Sequence, residues 1–167
     1  MTRTLTQEEL DRYDRDGYLD LFTVEWNSNP GEENSRLLRN LGAADPGVFE
    51  DVTLAAGLEV NASQVAAISL GFAPTFADMD RDGHVDLLVV GDYGDSQLFW
   101  NNGATQFEEV TSKAGSAFAR PIVGRGLAYG DIDNDGDLDL VMVENSGKPC
   151  LLYTSDAADE GLGVDLG

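Results

Sequence analysis

Acidic residues recur in this chain at a spacing that suits a divalent cation. A nine-residue loop carries carboxylates at positions 1, 3, 5 and 9 around a glycine at position 6. It occurs intact at residues 78–86 and 131–139, and with one defect at residues 12–20. Calcium takes six to eight oxygen ligands in irregular geometry, which alternate carboxylates on a short loop can supply. The pattern therefore predicts calcium sites, with Ca²⁺ as the bound ion.

The predicted ligands are the side chains at these positions and the backbone carbonyl of position 7. In the first intact loop they are Asp78, Asp80, Asp82, Asp86 and the carbonyl of His84. In the second they are Asp131, Asp133, Asp135, Asp139 and the carbonyl of Asp137. In the defective loop Arg12 replaces the first carboxylate, and Asp14, Asp16, Asp20 and the carbonyl of Tyr18 form a weaker candidate. By analogy with other calcium loops, each closing aspartate is expected to offer two oxygens.

Ordinary turns also collect Asp and Gly, so a single match would carry little weight. Two complete matches, each followed by an apolar run, favour the metal. Without an ion the loop is unfavourable, because two carboxylates about 4 Å apart at an effective dielectric near 20 repel by roughly 4 kcal/mol. Arg81 is the basic residue within the intact loops, and its side chain is expected to point outward.

The residues after each glycine exclude a helix–loop–helix calcium site. An EF-hand needs a bidentate Glu at position 12, where this chain has Val89 and Met142. The runs 85–90, 138–143 and 19–24 are short, apolar and rich in β-branched residues, which predicts strands covered on both faces. One cysteine in the whole chain also excludes cysteine-linked calcium repeats.

The loop belongs to a longer repeat. Residues 36–57 and 96–115 follow the first two loops with the same order of apolar strand, Asn/Gly turn and Phe–acidic–Val–Thr run. Glycine-containing strand-like segments, 71–77 and 124–130, precede the two intact loops. Each unit predicts four short antiparallel strands, which is typical of a propeller blade. The fold class is therefore all-β, a fragment of a β-propeller of four-stranded blades with calcium-binding hairpin loops.

These residues resemble the FG-GAP or VCBS repeat, which builds integrin-α-like calcium-binding propellers. The order and spacing of residues in 98–115 most resemble those of bacterial proteins of the cartilage-acidic-protein type, which often carry an ASPIC/UnbV segment. The resemblance covers residues 11 to about 149. It departs at Arg12 and in the polar segment before it, and no ASPIC/UnbV-like segment follows.

Four segments are expected. Residues 1–57 form a partial first blade with the degraded loop, 58–115 a complete second blade, and 116–149 the first half of a third. Residues 150–167 resemble the translated read-through of a sequencing adapter and are interpreted as a non-native tail. Closed propellers need roughly four to eight blades. The missing blades of a parent propeller are therefore expected partners, and they should cover apolar positions such as Leu87, Val89, Leu140 and Val143.

A formal net charge of −21 argues against a nucleic-acid partner. No apolar stretch is long enough to span a membrane. Calcium sites with dissociation constants of about 10⁻⁴–10⁻³ M fill only outside the cytoplasm. An extracellular, periplasmic or cell-surface location is therefore expected, although the acidity would equally suit a halophile.

Few residues suggest catalysis. His84 is the single histidine and stands where the backbone should bind the ion, so an idle exposed imidazole is expected. Asp92 and Asp95 flank a hairpin turn, and Trp26 and Trp100 end strands, where packing between blades is favoured over a sugar-binding role. The preferred function is a non-catalytic calcium-binding module for adhesion or for binding protein or carbohydrate. The alternative is the propeller part of an extracellular hydrolase or lyase whose catalytic residues lie in missing sequence.

Overall fold

The computed structural model describes residues 13–27, 35–58, 69–103, 105–114, 118, 121–145, 150–152 and 163–165. Within these residues the chain consists of short strands, loops and two 3₁₀ turns, Gly42–Ala44 and Thr111–Lys113. The strands form three sheets in which every pairing is antiparallel. The chain is therefore nearly all β, consistent with a fragment of an all-β propeller.

Each sheet is built mainly from one unit of the sequence repeat. The first contains β1 (Leu21–Thr23), β3 (Arg36–Asn40) and β4 (Phe49–Asp51) in the order β1-β3-β4. The second contains β2 (Trp26–Asn27), β5 (Ser69–Ala77), β6 (Asp86–Gly91), β7 (Gln97–Asn101) and β8 (Phe107–Glu109), in the order β2-β5-β6-β7-β8. The third contains β9 (Gly124–Gly130), β10 (Asp139–Glu144), β11 (Cys150–Leu152) and β12 (Gly163–Asp165), in the order β12-β11-β10-β9.

Strand β6 is covered on both faces, as its unbroken apolar run predicts. All six of its residues are buried. The equivalent run at 19–24 behaves differently, because only Leu21–Thr23 is a strand and Leu19 and Leu21 are about half exposed. The prediction of a strand covered on both faces is wrong for this run. Phe22 packs against the apolar cluster shared with the second unit, whereas Leu21, on the opposite face of β1, is not covered in this way.

Apolar side chains fill the spaces between neighbouring sheets. One cluster joins Leu37 and Val52 of the first unit to Leu87 and Val89 of the second. A second cluster joins Leu88, Val90 and Leu98 of the second unit to Leu140 and Met142 of the third. Leu87, Val89 and Leu140 are therefore covered by units of this chain itself, whereas Val143 remains partly exposed.

The segment after β1 and the segment after β6 each cross to the next sheet. Trp26 and Asn27 in β2 pair with Leu70 and Ser69 at the start of β5. One unit later, Asp92 makes an isolated antiparallel bridge to Val123, just before β9. The repeat therefore includes a backbone link between blades, which the assignment of each strand to its own blade does not predict.

Two strands of the third sheet come from residues 150–167. β11 pairs with β10 through Leu140–Leu152, Val141–Leu151 and Met142–Cys150, and β12 pairs with β11. Strand pairing uses backbone groups, so a foreign segment could add to an open edge as readily as a native one. The interpretation of this segment as a non-native tail stays a prediction.

Within the described residues, no helix has the length and apolar character needed to cross a membrane.

Candidate calcium loops

The three acidic loops share one backbone conformation. Position 4 has a left-handed φ in each: 60° at Arg15, 61° at Arg81 and 63° at Asn134. The glycine at position 6 has φ of 103° at Gly17, 91° at Gly83 and 94° at Gly136, and only glycine adopts such values without strain. The defective loop therefore keeps the fold of the intact ones.

Asx turns, in which an aspartate side chain accepts the backbone N–H two residues later, hold each loop closed. The aspartate at position 3 accepts a hydrogen bond from the N–H of position 5, and the aspartate at position 5 accepts one from position 7. In the intact loops, position 1 also accepts a bond from the glycine N–H. The bonds accepted by the aspartates at positions 3 and 5 have similar lengths in all three loops. They measure 3.0 and 2.8 Å for Asp14 and Asp16, 3.1 and 2.7 Å for Asp80 and Asp82, and 3.1 and 2.8 Å for Asp133 and Asp135. Asp78 and Asp131 accept from Gly83 and Gly136 at 3.1 Å each.

The closing aspartate of each loop is buried and accepts hydrogen bonds from backbone N–H groups. Asp86 Oδ2 accepts the N–H of Met79 at 2.8 Å, and its Oδ1 accepts the N–H of Asn101 at 3.0 Å. Asp139 Oδ2 repeats the first bond with Ile132, and Asp20 Oδ1 repeats the second with Asn40. A carboxylate oxygen that accepts one bond retains a lone pair for a cation. The expectation that this residue offers two oxygens to calcium stays a prediction.

The structure brings three of the four predicted side-chain ligands of each intact loop together. Oxygen atoms of Asp78, Asp80 and Asp86 all lie within 4.8 Å of one another, as do those of Asp131, Asp133 and Asp139. Asp82 and Asp135 at position 5 stand outside these groups. Among the described residues, the defective loop does not assemble such a group from Asp14, Asp16 and Asp20, and Arg12 lies outside the description.

Burial makes these carboxylates costly in the absence of a cation. It raises the pKa of Asp86 to about 7 and that of Asp20 to about 6, and neighbouring carboxylates add to both. Burial likewise raises the pKa of Asp78 and Asp80. Asp78 Oδ1 and Asp20 Oδ2 are buried and have no hydrogen-bond partner among the described residues. Because a divalent cation would satisfy such oxygens, the residues of the intact loops fit calcium.

The side chain at position 7 has a structural role that the spacing does not reveal. A Cβ at Gly103 would lie 2.7 Å from Nε2 of His84, and one at Gly42 would collide with the ring of Tyr18. Both glycines belong to the Asn/Gly turn of the same unit and have positive φ. His84 is therefore half-buried against that turn, which corrects the expectation that its imidazole is exposed.

Asn101 and Asn40 lie in the Asn/Gly turns and are hydrogen-bonded to the closing aspartates of the acidic loops. Asn101 is buried; its Nδ2 donates to the carbonyl of Tyr13 at 2.9 Å, and its Oδ1 accepts the N–H of Gly103. Asn40 accepts the N–H of Gly42 in the same way. The recurring Asn/Gly turn identifies these two residues in the sequence. The hydrogen bond that each backbone N–H donates to the closing aspartate is evident only from the three-dimensional structure.

A second cluster lies at the other ends of the strands. Asp92 is buried and accepts the indole N–H of Trp26 at 3.1 Å; the guanidinium of Arg125 pairs with both of its oxygens. Arg125 also lies 4.4 Å above the ring of Phe72. The predicted turn is present, because the N–H of Asp95 donates to the carbonyl of Asp92. Trp26, Asp92 and Arg125 come from three successive units, so this cluster links all of them.

The two tryptophans differ in environment. Trp100 packs against the apolar cluster between the second and third units, as the packing interpretation predicts. Trp26 is 54 % exposed, beside Phe72 at 46 % and Tyr93 at 61 %. The end of the molecule opposite the acidic loops therefore presents aromatic faces around a neutral Asp–Arg pair.

Two segments of the chain match one repeat family. The FG-GAP-like repeat matches residues 12–89 and again residues 78–142. Each matched segment begins at or next to an acidic loop and contains the strands that follow it. No curated protein matches the chain. With two consecutive matches that span most of its residues, the chain belongs to the FG-GAP-like repeat family.

Proposed function

We propose that this chain is a calcium-binding, non-catalytic propeller repeat module, used for adhesion or for binding protein or carbohydrate. The observation that carries the proposal is the pair of carboxylate groups, Asp78–Asp80–Asp86 and Asp131–Asp133–Asp139, at equivalent places in successive repeats. A bound Ca²⁺ would neutralise mutually repelling carboxylates and hold each hairpin rigid. The side chains named above and the carbonyls of position 7 would supply its oxygens.

The defective loop is a weaker part of the same proposal. Its backbone matches the intact loops, and Asp20 has a buried oxygen that no group in the described part of the chain contacts by a hydrogen bond. Asp14, Asp16, Asp20 and the carbonyl of Tyr18 are its candidate ligands. The loop lacks the carboxylate of position 1, so we expect much weaker binding there than in the intact loops.

Recognition is assigned to the end opposite the calcium loops. Trp26, Phe72 and Tyr93 expose aromatic faces there, and such faces suit protein or carbohydrate partners. Arg125 pairs with Asp92, so the buried carboxylate at the centre of this end is compensated by a positive charge. FG-GAP repeats are typical of extracellular or surface proteins, and the proposed location is outside the cytoplasm.

FG-GAP repeats generally serve as non-catalytic binding modules, which supports binding over catalysis. The alternative is that this chain is the propeller part of an extracellular hydrolase or lyase. In that case the catalytic groups would stand in sequence beyond these repeats. The missing blades of a parent propeller remain proposed partners.

Calcium titration of the whole chain by calorimetry tests the proposal. About two sites are expected, and Asp80→Asn or Asp133→Asn should each remove one because each deletes one carboxylate of a group. Asp45→Asn is the matched control, since Asp45 is an exposed acid outside the loops. A third site would assign calcium to the defective loop as well. A folded chain that binds no calcium at millimolar concentration would refute the function.

A further inference from the structure

Two arginines at position 4 reach from their own acidic loop to the next one. Arg81 belongs to loop 78–86, yet its Nη1 lies 2.5 Å from Oδ1 of Asp137 in loop 131–139. Its Nη2 lies 2.9 Å from where a Cβ would stand at Gly136. Arg15 repeats the approach one unit earlier, with Nη1 3.8 Å from the Cβ position of Gly83. The outward direction expected for Arg81 therefore leads to the neighbouring loop.

The left-handed backbone conformation at position 4 is unfavourable for arginine. Position 4 is left-handed in all three loops, and Asn134 is the kind of residue that adopts it readily. Arg15 and Arg81 adopt it against their preference. Unfavourable conformations of this kind persist where surrounding contacts fix them. The cross-loop contact is such a contact for Arg81.

The contact acts on a residue that presents a proposed calcium ligand. Asp137 stands at position 7, whose carbonyl is expected to bind the ion, and its N–H donates to Oδ1 of Asp135. Residues 131–136 are all exposed, and loop 131–139 contains no basic residue. Arg81 therefore supplies a positive charge to a loop that has none of its own.

We propose that Arg81 is a positioning residue that couples the two intact loops, so that an ion in loop 78–86 raises the calcium affinity of loop 131–139. The inference rests on the proposed calcium function. Calcium bound by Asp78, Asp80 and Asp86 would further restrict residue 81 to the left-handed conformation that the structure shows. The guanidinium then stays beside Asp137 and keeps the second loop in its binding shape. By linkage, an ion in the second loop raises the affinity of the first by the same factor.

A calcium titration followed by NMR can observe each loop separately. The amides of Gly83 and Gly136 donate to the position-1 carboxylates of their own loops, so each reports one site. In the whole chain, Asp80→Asn should disable the first loop and weaken binding at Gly136 by about fivefold or more, at the lower end of allosteric coupling. In an Arg81→Ala background, the same Asp80→Asn change should leave the Gly136 titration unchanged.

Two further variants separate coupling from damage to the fold. Arg81→Lys keeps the charge without the planar fork and should retain part of the coupling. Arg36→Ala removes an exposed ion pair outside the loops, in which Nε lies 3.0 Å from Oδ2 of Asp51, and should leave the coupling intact. In every variant, unchanged amide signals from β6 and β7 show that the sheet is preserved.

The outcomes distinguish this inference from the proposed function. If both glycines report calcium but Asp80→Asn leaves the Gly136 titration unchanged, the coupling is refuted while the calcium function stands. If coupling persists in Arg81→Ala, the loops communicate by another route and Arg81 has no part in it. If neither glycine responds to calcium, the function and the coupling both fail.

Discussion

At the scale of single residues, the burial of Asp86 predicts how the metal-free chain responds to pH. Its side chain is 1 % exposed, and burial raises its pKa to about 7 from an ordinary value of 3.8. Between these values the folded chain holds a proton that the unfolded chain has lost, so stability falls as pH rises through this window. At 1.36 kcal/mol per pKa unit, the change is on the order of 4 kcal/mol.

Urea unfolding in excess chelator at pH 5.5 and pH 7.5 samples the upper half of this window, where about 2 kcal/mol of the change is expected. The free energy of unfolding should be higher at pH 5.5, and Asp86→Asn should remove most of the difference. Saturating calcium should reverse the trend, because the ion binds the ionised carboxylates. A metal-free chain whose stability rises between these pH values would contradict the assignment.

At the scale of the element, the Asn/Gly turn is expected to contribute different amounts to the free energy of unfolding in the two units that contain it. Asn101 is buried and joins the turn to Tyr13 of the first unit, whereas Asn40 donates to the carbonyl of Leu19 at an exposed site. Asn101→Ala would leave buried groups without partners, which costs about 1–3 kcal/mol. Asn40→Ala serves as the matched control and should cost less than about 1 kcal/mol, because water replaces its bonds.

Chemical denaturation of both variants in excess calcium compares the two turns. The expected order is a larger loss of unfolding free energy in Asn101→Ala than in Asn40→Ala. Equal losses would mean that the bond to Tyr13 adds nothing to the link between the first two units.

The elements within one repeat follow from local spacing, and the links between repeats do not. Apolar runs and turn residues predict β5 to β8 of the second unit, and the Asp/Gly spacing predicts the two groups of loop carboxylates. The direction of Arg81 and the packing of His84 on Gly103 depend on the twist and register between units. The crossing of Trp26 to the next sheet also pairs residues far apart in sequence, and the sequence spacing contains no signal for it.

At the scale of the whole molecule, β10 depends on strands from residues 150–167 to cover one edge. β9 pairs along its other side, and β11 covers Leu140–Met142. A chain that ends at Pro149 would leave the N–H and C=O groups of that edge free, beside the partly exposed Val143. Open apolar edges pair with other chains, so the shortened chain should associate with itself more strongly.

Sedimentation velocity on the two lengths of chain over a range of concentrations checks this. The shortened chain should form dimers or larger species at concentrations where the full chain is monomeric. Val141→Lys in the shortened chain should reduce the association, because a charge on an edge strand disfavours pairing between chains. If the shortened chain stays monomeric with unchanged β signal, residues 150–167 contribute nothing to the third sheet, as a non-native tail would be expected to behave.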